Sequence, residues 1–108
     1  MEKFDELLKT LNNLKITQKH MDWGENIPLD IWNEHFQEYK PLAYGLDVDT
    51  HRWYETSISV ISIYGRIMGI RHISNLFSES SEVEDCYVTM EFFEMEEIQV
   101  TSYKQLNK

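Results

Sequence analysis

The chain has a single cysteine and no long apolar run, and each of these two features excludes a class of protein. A single cysteine, Cys86, cannot form an internal disulfide, which excludes a disulfide-stabilised secreted domain. No apolar stretch approaches the roughly 20 residues of a membrane-spanning helix, and acidic residues occupy the start, where a signal peptide has basic ones. We therefore expect the 108 residues to form one cytoplasmic globular domain.

Basic residues are absent from residues 73–103, and this absence dominates the charge distribution. These residues contain no Lys or Arg but eight carboxylates: Glu79, Glu82, Glu84, Asp85, Glu91, Glu94, Glu96 and Glu97. The rest of the chain is nearly neutral, so they account for most of the formal net charge of −9. Such a chain repels a bare phosphate backbone but attracts a basic protein surface. The eight carboxylates are therefore the predicted partner-binding site, unless they form only a solvated acidic surface.

Recognisable catalytic and cofactor motifs are also absent. The chain has no Gly-x-Ser-x-Gly, no glycine-rich phosphate loop and no His-x-x-x-His. Cys86 follows Glu84 and Asp85, whose negative charges disfavour a reactive thiolate, so we interpret it as a buried structural thiol. We predict a non-enzymatic protein without a cofactor.

One short segment contains residues of the kind that bind metal ions. Asp47, Asp49 and His51 alternate, and on an extended segment their side chains would share one side. Oxygen and imidazole ligands together can hold a divalent ion. Polar residues at a turn before a strand are commoner than ligands, so we do not predict a metal site here.

Two amphipathic helices are predicted in residues 1–40. Residues 2–15 carry an apolar stripe at helical spacing, formed by Phe4, Leu7, Leu8, Leu11 and Leu14. Pro28 suits the first position of a second helix, and Pro41 should end that helix at residue 40. We interpret residues 41–50 as a connector.

Residues 52–103 are typical of an antiparallel β-meander. A run of β-branched and aromatic residues, 53–64, is interrupted at Gly65 and resumes at residues 67–70, which predicts a hairpin. Residues 86–93 and 98–103 are predicted as further strands, with a turn at 94–97 and a frayed tail at 104–108. The expected fold is a single α+β domain over residues 1–108, with two N-terminal helices packed on a three- to four-stranded antiparallel sheet.

The C-terminal half resembles small proteins encoded by phages and mobile elements. The similarity lies in the segments His51–Glu55, Gly69–Arg71, Leu76–Glu79, Glu84–Cys86, Glu91–Glu94 and Val100–Lys104. This group has no defined activity or functional residues to carry over. The resemblance implies an inhibitor that binds a host enzyme or defence complex, a class that includes anti-CRISPR proteins, some of which mimic DNA.

Together these observations predict an acidic inhibitor or modulator that blocks a basic, nucleic-acid-binding protein surface by charge mimicry. The prediction requires the carboxylates to cluster on one exposed face. The first alternative is a structural or self-association module whose strand edge or aromatic face pairs with a second copy. The other is a small metal-binding or enzymatic protein that uses Asp47, Asp49 and His51.

Overall fold

Two helices precede five antiparallel strands in a computed structural model of the chain, which describes residues 2–77, 86–99 and 102–106. The elements are α1 (Lys3–Leu14), a 3₁₀ turn (Trp23–Asn26), α2 (Leu29–His35), β1 (Lys40–Thr50), β2 (Tyr54–Ile63), β3 (Arg66–Leu76), β4 (Glu91–Gln99) and β5 (Ser102–Gln105). The predicted α+β class is confirmed, although the sheet has five strands instead of three or four. In the described part of the chain, no helix has both the length and the apolar character needed to cross a bilayer.

The strands lie in the sheet in the order of the chain, from β1 at one edge to β5 at the other. The predicted hairpin is confirmed: β2 and β3 pair from Ile63 opposite Arg66, and only Tyr64 and Gly65 connect them. Both connecting residues have positive φ, 54° and 73°. This is the geometry of a type I′ turn, whose twist matches that of the paired strands.

The interpretation of residues 41–50 as a connector is wrong, because they belong to strand β1. Its pairing with β2 shifts register three times, and Gly45 and Asp47 adopt positive φ of 72° and 48°. These irregularities interrupt the alternation of inward and outward side chains. Most residues of β1 are also exposed. The strand therefore lacks the alternating apolar pattern by which a strand is recognised in a sequence.

The predicted boundaries of the last two strands are also wrong. Residues 94–97, expected to form a turn, lie inside β4, and β5 includes two residues of the expected tail. The segment before β4 pairs with the chain between the two helices: Gln18 N donates to Val88 O at 2.8 Å, and Met90 N donates to Ile16 O at 2.8 Å. An alternating apolar pattern is thus present at residues 86–90, but the segment is not a sheet strand.

Both faces of the sheet bury apolar side chains. On one face, α1 and α2 contribute to a core whose members include Phe4, Leu7, Leu11, Phe36, Ile61, Met68, Ile70 and Phe92. On the other face, a smaller cluster contains Ile58, Val60 and Met95, with Ala43, Leu46, Ile67, Phe93 and Tyr103 packed against it. Leu46 of β1 and Tyr103 of β5 also line one cavity, so the two edge strands approach each other across the second face. The sheet is therefore curled.

Candidate protein-binding surface

The structure describes four of the eight predicted partner-binding carboxylates, and these four do not share one face of the sheet. Glu79, Glu82, Glu84 and Asp85 lie outside the described residues. The other four belong to β4, where successive side chains point to opposite faces of the sheet. Glu91 and Glu97 therefore lie on the side of Phe93 and the second cluster, whereas Glu94 and Glu96 lie on the side of Phe92 and the helices.

Glu94 is bound by Arg66 and contributes little exposed charge. Arg66 Nε and Nη2 donate to the two carboxylate oxygens of Glu94 at 2.8 and 2.6 Å, and the Glu94 side chain is 10% exposed. Arg66 Nη1 also donates to Glu2 at 2.6 Å and Asp5 at 3.2 Å, and its guanidinium lies 4.5 Å from the ring centroid of Phe4. The hydrogen bonds to Glu94 raise the pKa of Arg66 further above its ordinary value. This arrangement attaches α1 to the sheet.

Glu96 and Glu97 are more exposed than Glu94. Glu96 forms an ion pair with Lys104 of β5, with 3.1 Å between Nζ and Oε1. Glu97 lies opposite Tyr103 in the same pair of strands and is exposed. The Lys104 pair is largely in solvent, so it adds little stability but cancels one negative charge locally.

Glu91 lies beside Asp47 and Asp49, two carboxylates of β1 that lie outside the acidic residues 73–103. It is opposite Arg71 in the β3–β4 ladder, and Arg71 Nη2 donates to the carboxylate of Asp47 in β1. Asp49 is 3.4 Å from His51 Nε2. All of these side chains line one open cavity of about 520 Å³. The cavity therefore has three carboxylates against one guanidinium.

The same cavity is bordered by exposed apolar side chains. Tyr87 is 79% exposed and Val48 is 52% exposed. Large exposed aromatic side chains beside charged groups are typical anchors of protein–protein interfaces. We call the set Asp47, Val48, Asp49, Arg71, Tyr87 and Glu91 the Arg71 surface. The sequence pattern identified Glu91, but it singled out Asp47 and Asp49 only as possible metal ligands.

Asp47, Asp49 and His51, which were considered as metal ligands, are not arranged around one point. The positive φ of Asp47 and the register shift between Leu46 and Asp49 break the alternation that would have aligned them. Asp47 pairs with Arg71, while the His51 ring stacks on Tyr54 with 4.5 Å between centroids. Within residues 2–77, 86–99 and 102–106, no three His, Cys, Asp or Glu side chains are grouped as metal ligands.

A buried serine–histidine pair on the helix-facing side was missed in the sequence. Ser59 Oγ and His72 Nε2 are 2.7 Å apart, and His72 Nδ1 is 2.9 Å from the carbonyl oxygen of Ile73. Because a carbonyl only accepts, Nδ1 must carry the proton and Nε2 accepts from the serine hydroxyl. Burial lowers the pKa of His72, so the ring is neutral near pH 7. Both side chains are under a tenth exposed, and the pair satisfies polar groups inside the fold.

Comparison with known proteins found no match: no family model, no curated protein and no solved structure is similar to the chain. Cys86, considered in the sequence as a buried thiol, is half-buried.

Proposed function

We propose that the chain is a non-enzymatic acidic protein that binds a basic partner protein through the Arg71 surface. One observation carries the proposal: carboxylates from β1 and β4, which are far apart in sequence, line a single open cavity beside the exposed ring of Tyr87. Lysine and arginine side chains of a partner would pair with Asp47, Asp49 and Glu91, while Tyr87 supplies apolar contact.

The partner surface that best fits this chemistry is one that otherwise binds nucleic acid. Carboxylates at such a surface occupy the positions of phosphates, so bound protein and nucleic acid exclude each other. The formal net charge of −9 would speed association with a basic groove and make it sensitive to salt. We propose that the chain is an inhibitor of a defence effector in the host cytoplasm, which is the function that the predicted resemblance to small phage proteins implies.

The proposed partner-binding residues differ from the eight carboxylates predicted from the sequence. Asp47, Asp49 and Glu91 bind the partner, and Glu94 stabilises the fold through Arg66. The acid-rich residues 79–85 lie outside the described structure, but they lead in sequence directly to Cys86 and Tyr87. That Glu79, Glu82, Glu84 and Asp85 also contact the partner stays a prediction.

A matched pair of triple variants tests the proposal. A fluorescein-labelled oligolysine peptide serves as the basic probe, and fluorescence anisotropy measures its affinity for the full chain at low and high salt. Neutralising Asp47→Asn, Asp49→Asn and Glu91→Gln should weaken binding about tenfold, since each exposed charge contact is worth roughly 0.5 kcal/mol. The control changes Glu6→Gln, Asp30→Asn and Glu38→Gln, three exposed acids elsewhere, and alters net charge equally.

The comparison separates a defined surface from general attraction between opposite charges. A larger loss in the Arg71-surface variant than in the control, together with a further loss for Tyr87→Ser, supports the proposal. Equal losses in the two triple variants would mean that net charge alone attracts the probe. That result would overturn the assignment of the Arg71 surface.

A second candidate function, self-association, is favoured by the edge strand β1. Its exposed side chains include three large apolar ones: Leu42 at 41%, Tyr44 at 87% and Val48 at 52% exposed. β1 is bonded to β2 on one side only, and an unpaired strand edge is a template for pairing with another chain. Light scattering over a concentration series tests this function. Self-association is supported if the measured mass rises with concentration and the Tyr44→Lys variant keeps the mass of the monomer.

A further inference from the structure

The segment between α1 and α2 is held in one conformation by the side chain of Asn26. Its Oδ1 accepts from the backbone of Lys19 at 2.7 Å and of His20 at 2.8 Å. Its Nδ2 donates to the carbonyl oxygens of His20, Asp22 and Trp23 at 2.9, 3.1 and 3.3 Å. A single amide thus fixes the loop that carries Trp23, so the loop is organised before any ligand binds.

The ring of Trp23 in this loop packs with three further aromatic rings, those of Trp32, Phe36 and Tyr39. Trp32 stacks on Phe36 with centroids 5.1 Å apart, and Tyr39 meets the edges of both Trp32 and Trp23, at 5.6 and 5.8 Å. Gly24 allows the loop to contact this cluster, because a Cβ there would lie 2.8 Å from the Trp32 ring. The rings therefore hold each other in a defined arrangement.

Two rings of this cluster, those of Trp32 and Tyr39, line an open cavity of about 540 Å³. Trp32 and Tyr39 are only partly buried, and Leu29 at the rim is 72% exposed. Two carboxylates, Asp22 and Glu25, line the same cavity, and no Lys or Arg does so among the described residues. Asp22 Oδ1 accepts from Gly24 N at 3.1 Å, which leaves its second oxygen able to accept from a ligand.

We infer that this cavity, the Trp32 pocket, binds the guanidinium group of an arginine side chain on a partner protein. Aromatic faces attract organic cations, and a planar guanidinium stacks on a ring while donating hydrogen bonds to carboxylates at its edge. The pocket supplies both kinds of group, with Trp32 and Tyr39 as rings and Asp22 and Glu25 as acceptors. The ammonium group of lysine can donate hydrogen bonds to the two carboxylates but has no planar face to stack on a ring. A trimethylammonium group has no N–H and can donate a hydrogen bond to neither carboxylate.

The inference rests on the proposed function only in requiring a basic partner, and it adds a second contact of defined chemistry. The Trp32 pocket shares no lining residue with the Arg71 surface. Each site can therefore be tested in a variant that leaves the other intact.

Short peptides report on the pocket directly. The ¹⁵N-labelled full chain is titrated with acetyl-Gly-Arg-Gly-amide and with the same peptide carrying neutral citrulline, lysine or trimethyllysine. The indole N–H signals of Trp23 and Trp32 are the readout, and that of Trp53, which lies outside the pocket, is the internal reference. The arginine peptide should shift the Trp32 signal to saturation and bind at least several-fold more tightly than the other three.

Two single variants test the role of charge in the pocket. Glu25→Gln, at an exposed side chain, should weaken arginine-peptide binding about twofold to fivefold, whereas Glu38→Gln should leave it unchanged. Equal binding of the citrulline peptide, or tighter binding of trimethyllysine, would overturn the assignment to guanidinium. If no peptide shifts the Trp32 signal while the Arg71-surface variant still loses oligolysine binding, the pocket inference alone is overturned. If instead the arginine peptide shifts the Trp32 signal, while the Arg71-surface variant and its control lose oligolysine binding equally, only the assignment of the Arg71 surface is overturned.

Discussion

Arg66 and Glu94 lie diagonally across the neighbouring strands β3 and β4 and share two parallel hydrogen bonds of 2.6 and 2.8 Å. The guanidinium also reaches Glu2 and Asp5, so one cation links the sheet to the start of α1. A carboxylate that the sequence suggested as a partner contact is thereby part of the internal structure. Glu91, by contrast, lies on the opposite side of the sheet and lines a cavity with Asp47 and Asp49.

The stability of two variants on β4 should distinguish these environments. Glu94→Gln removes the charge from a pair that is 25% and 10% exposed, so we expect unfolding to require about 1–2 kcal/mol less free energy. Glu96→Gln, whose pair with Lys104 is 43% and 58% exposed, should cost about 0.5 kcal/mol or less. Urea unfolding followed by circular dichroism measures both. Equal costs would contradict the structural role of the Arg66 contact.

The buried amide of Gln18 should contribute more to stability than an exposed glutamine. Its Oε1 accepts from Ile73 N at 2.6 Å, and its Nε2 donates to Ile73 O at 3.2 Å and His20 O at 2.9 Å. Gln18→Met preserves volume but leaves the buried Ile73 N–H without this acceptor, at a cost of about 2–3 kcal/mol. The exposed Gln37→Met should change stability by about 0.5 kcal/mol or less. Thermal and urea unfolding of the two variants provide the comparison.

Acid should destabilise the fold through His72. Burial lowers the pKa of His72 below the ordinary 6.5, although a hydrogen bond to Ile73 and the charge of Asp22 oppose the shift. At a pH between the folded and unfolded pKa values, the His72 side chain binds more protons in the unfolded chain than in the folded one. The contribution of neutral His72 to the free energy of unfolding is therefore complete above pH 6.5 and decreases as the pH falls below that value.

Urea unfolding across this pH range, with an NMR titration of the four histidines, measures the effect. His72→Gln should lose most of this pH dependence, whereas the exposed His51→Gln should keep it. If the His72 signal titrated at or above 6.5, the predicted burial effect would be incorrect.

Gly69 should not tolerate alanine. It lies opposite Phe93 in the β3–β4 ladder, and an added Cβ would be 2.5 Å from both the Phe93 ring and the Met95 sulfur. Since these side chains must move, Gly69→Ala should cost about 1–3 kcal/mol. The double change Gly69→Ala with Phe93→Leu should recover part of that loss by removing the ring contact. No recovery would mean that the Met95 side chain, not the Phe93 ring, excludes alanine.

Local pattern was sufficient for α1 and for the β2–β3 hairpin. The stripe that includes Phe4, Leu7 and Leu11 recurs every three or four residues, and these side chains are buried. Gly65 ends a stretch rich in β-branched and aromatic residues, at a position where a two-residue turn needs positive φ. Both signals depend only on residues that are close in the chain, so a sequence carries them in full.

Long-range pairing decided the rest. β1 became a strand because β2 offers it an edge, and its bulges at Gly45 and Asp47 leave no periodic signal. Glu94 is internal because Arg66, 28 residues away, reaches it from the neighbouring strand β3, and Asp47 joins Glu91 because Arg71 lies between them. The sequence by itself determined an α+β chain with its negative charge concentrated toward the C-terminus. Only the tertiary structure determined which carboxylates are neutralised and which remain exposed, because that depends on side chains brought together by strand register.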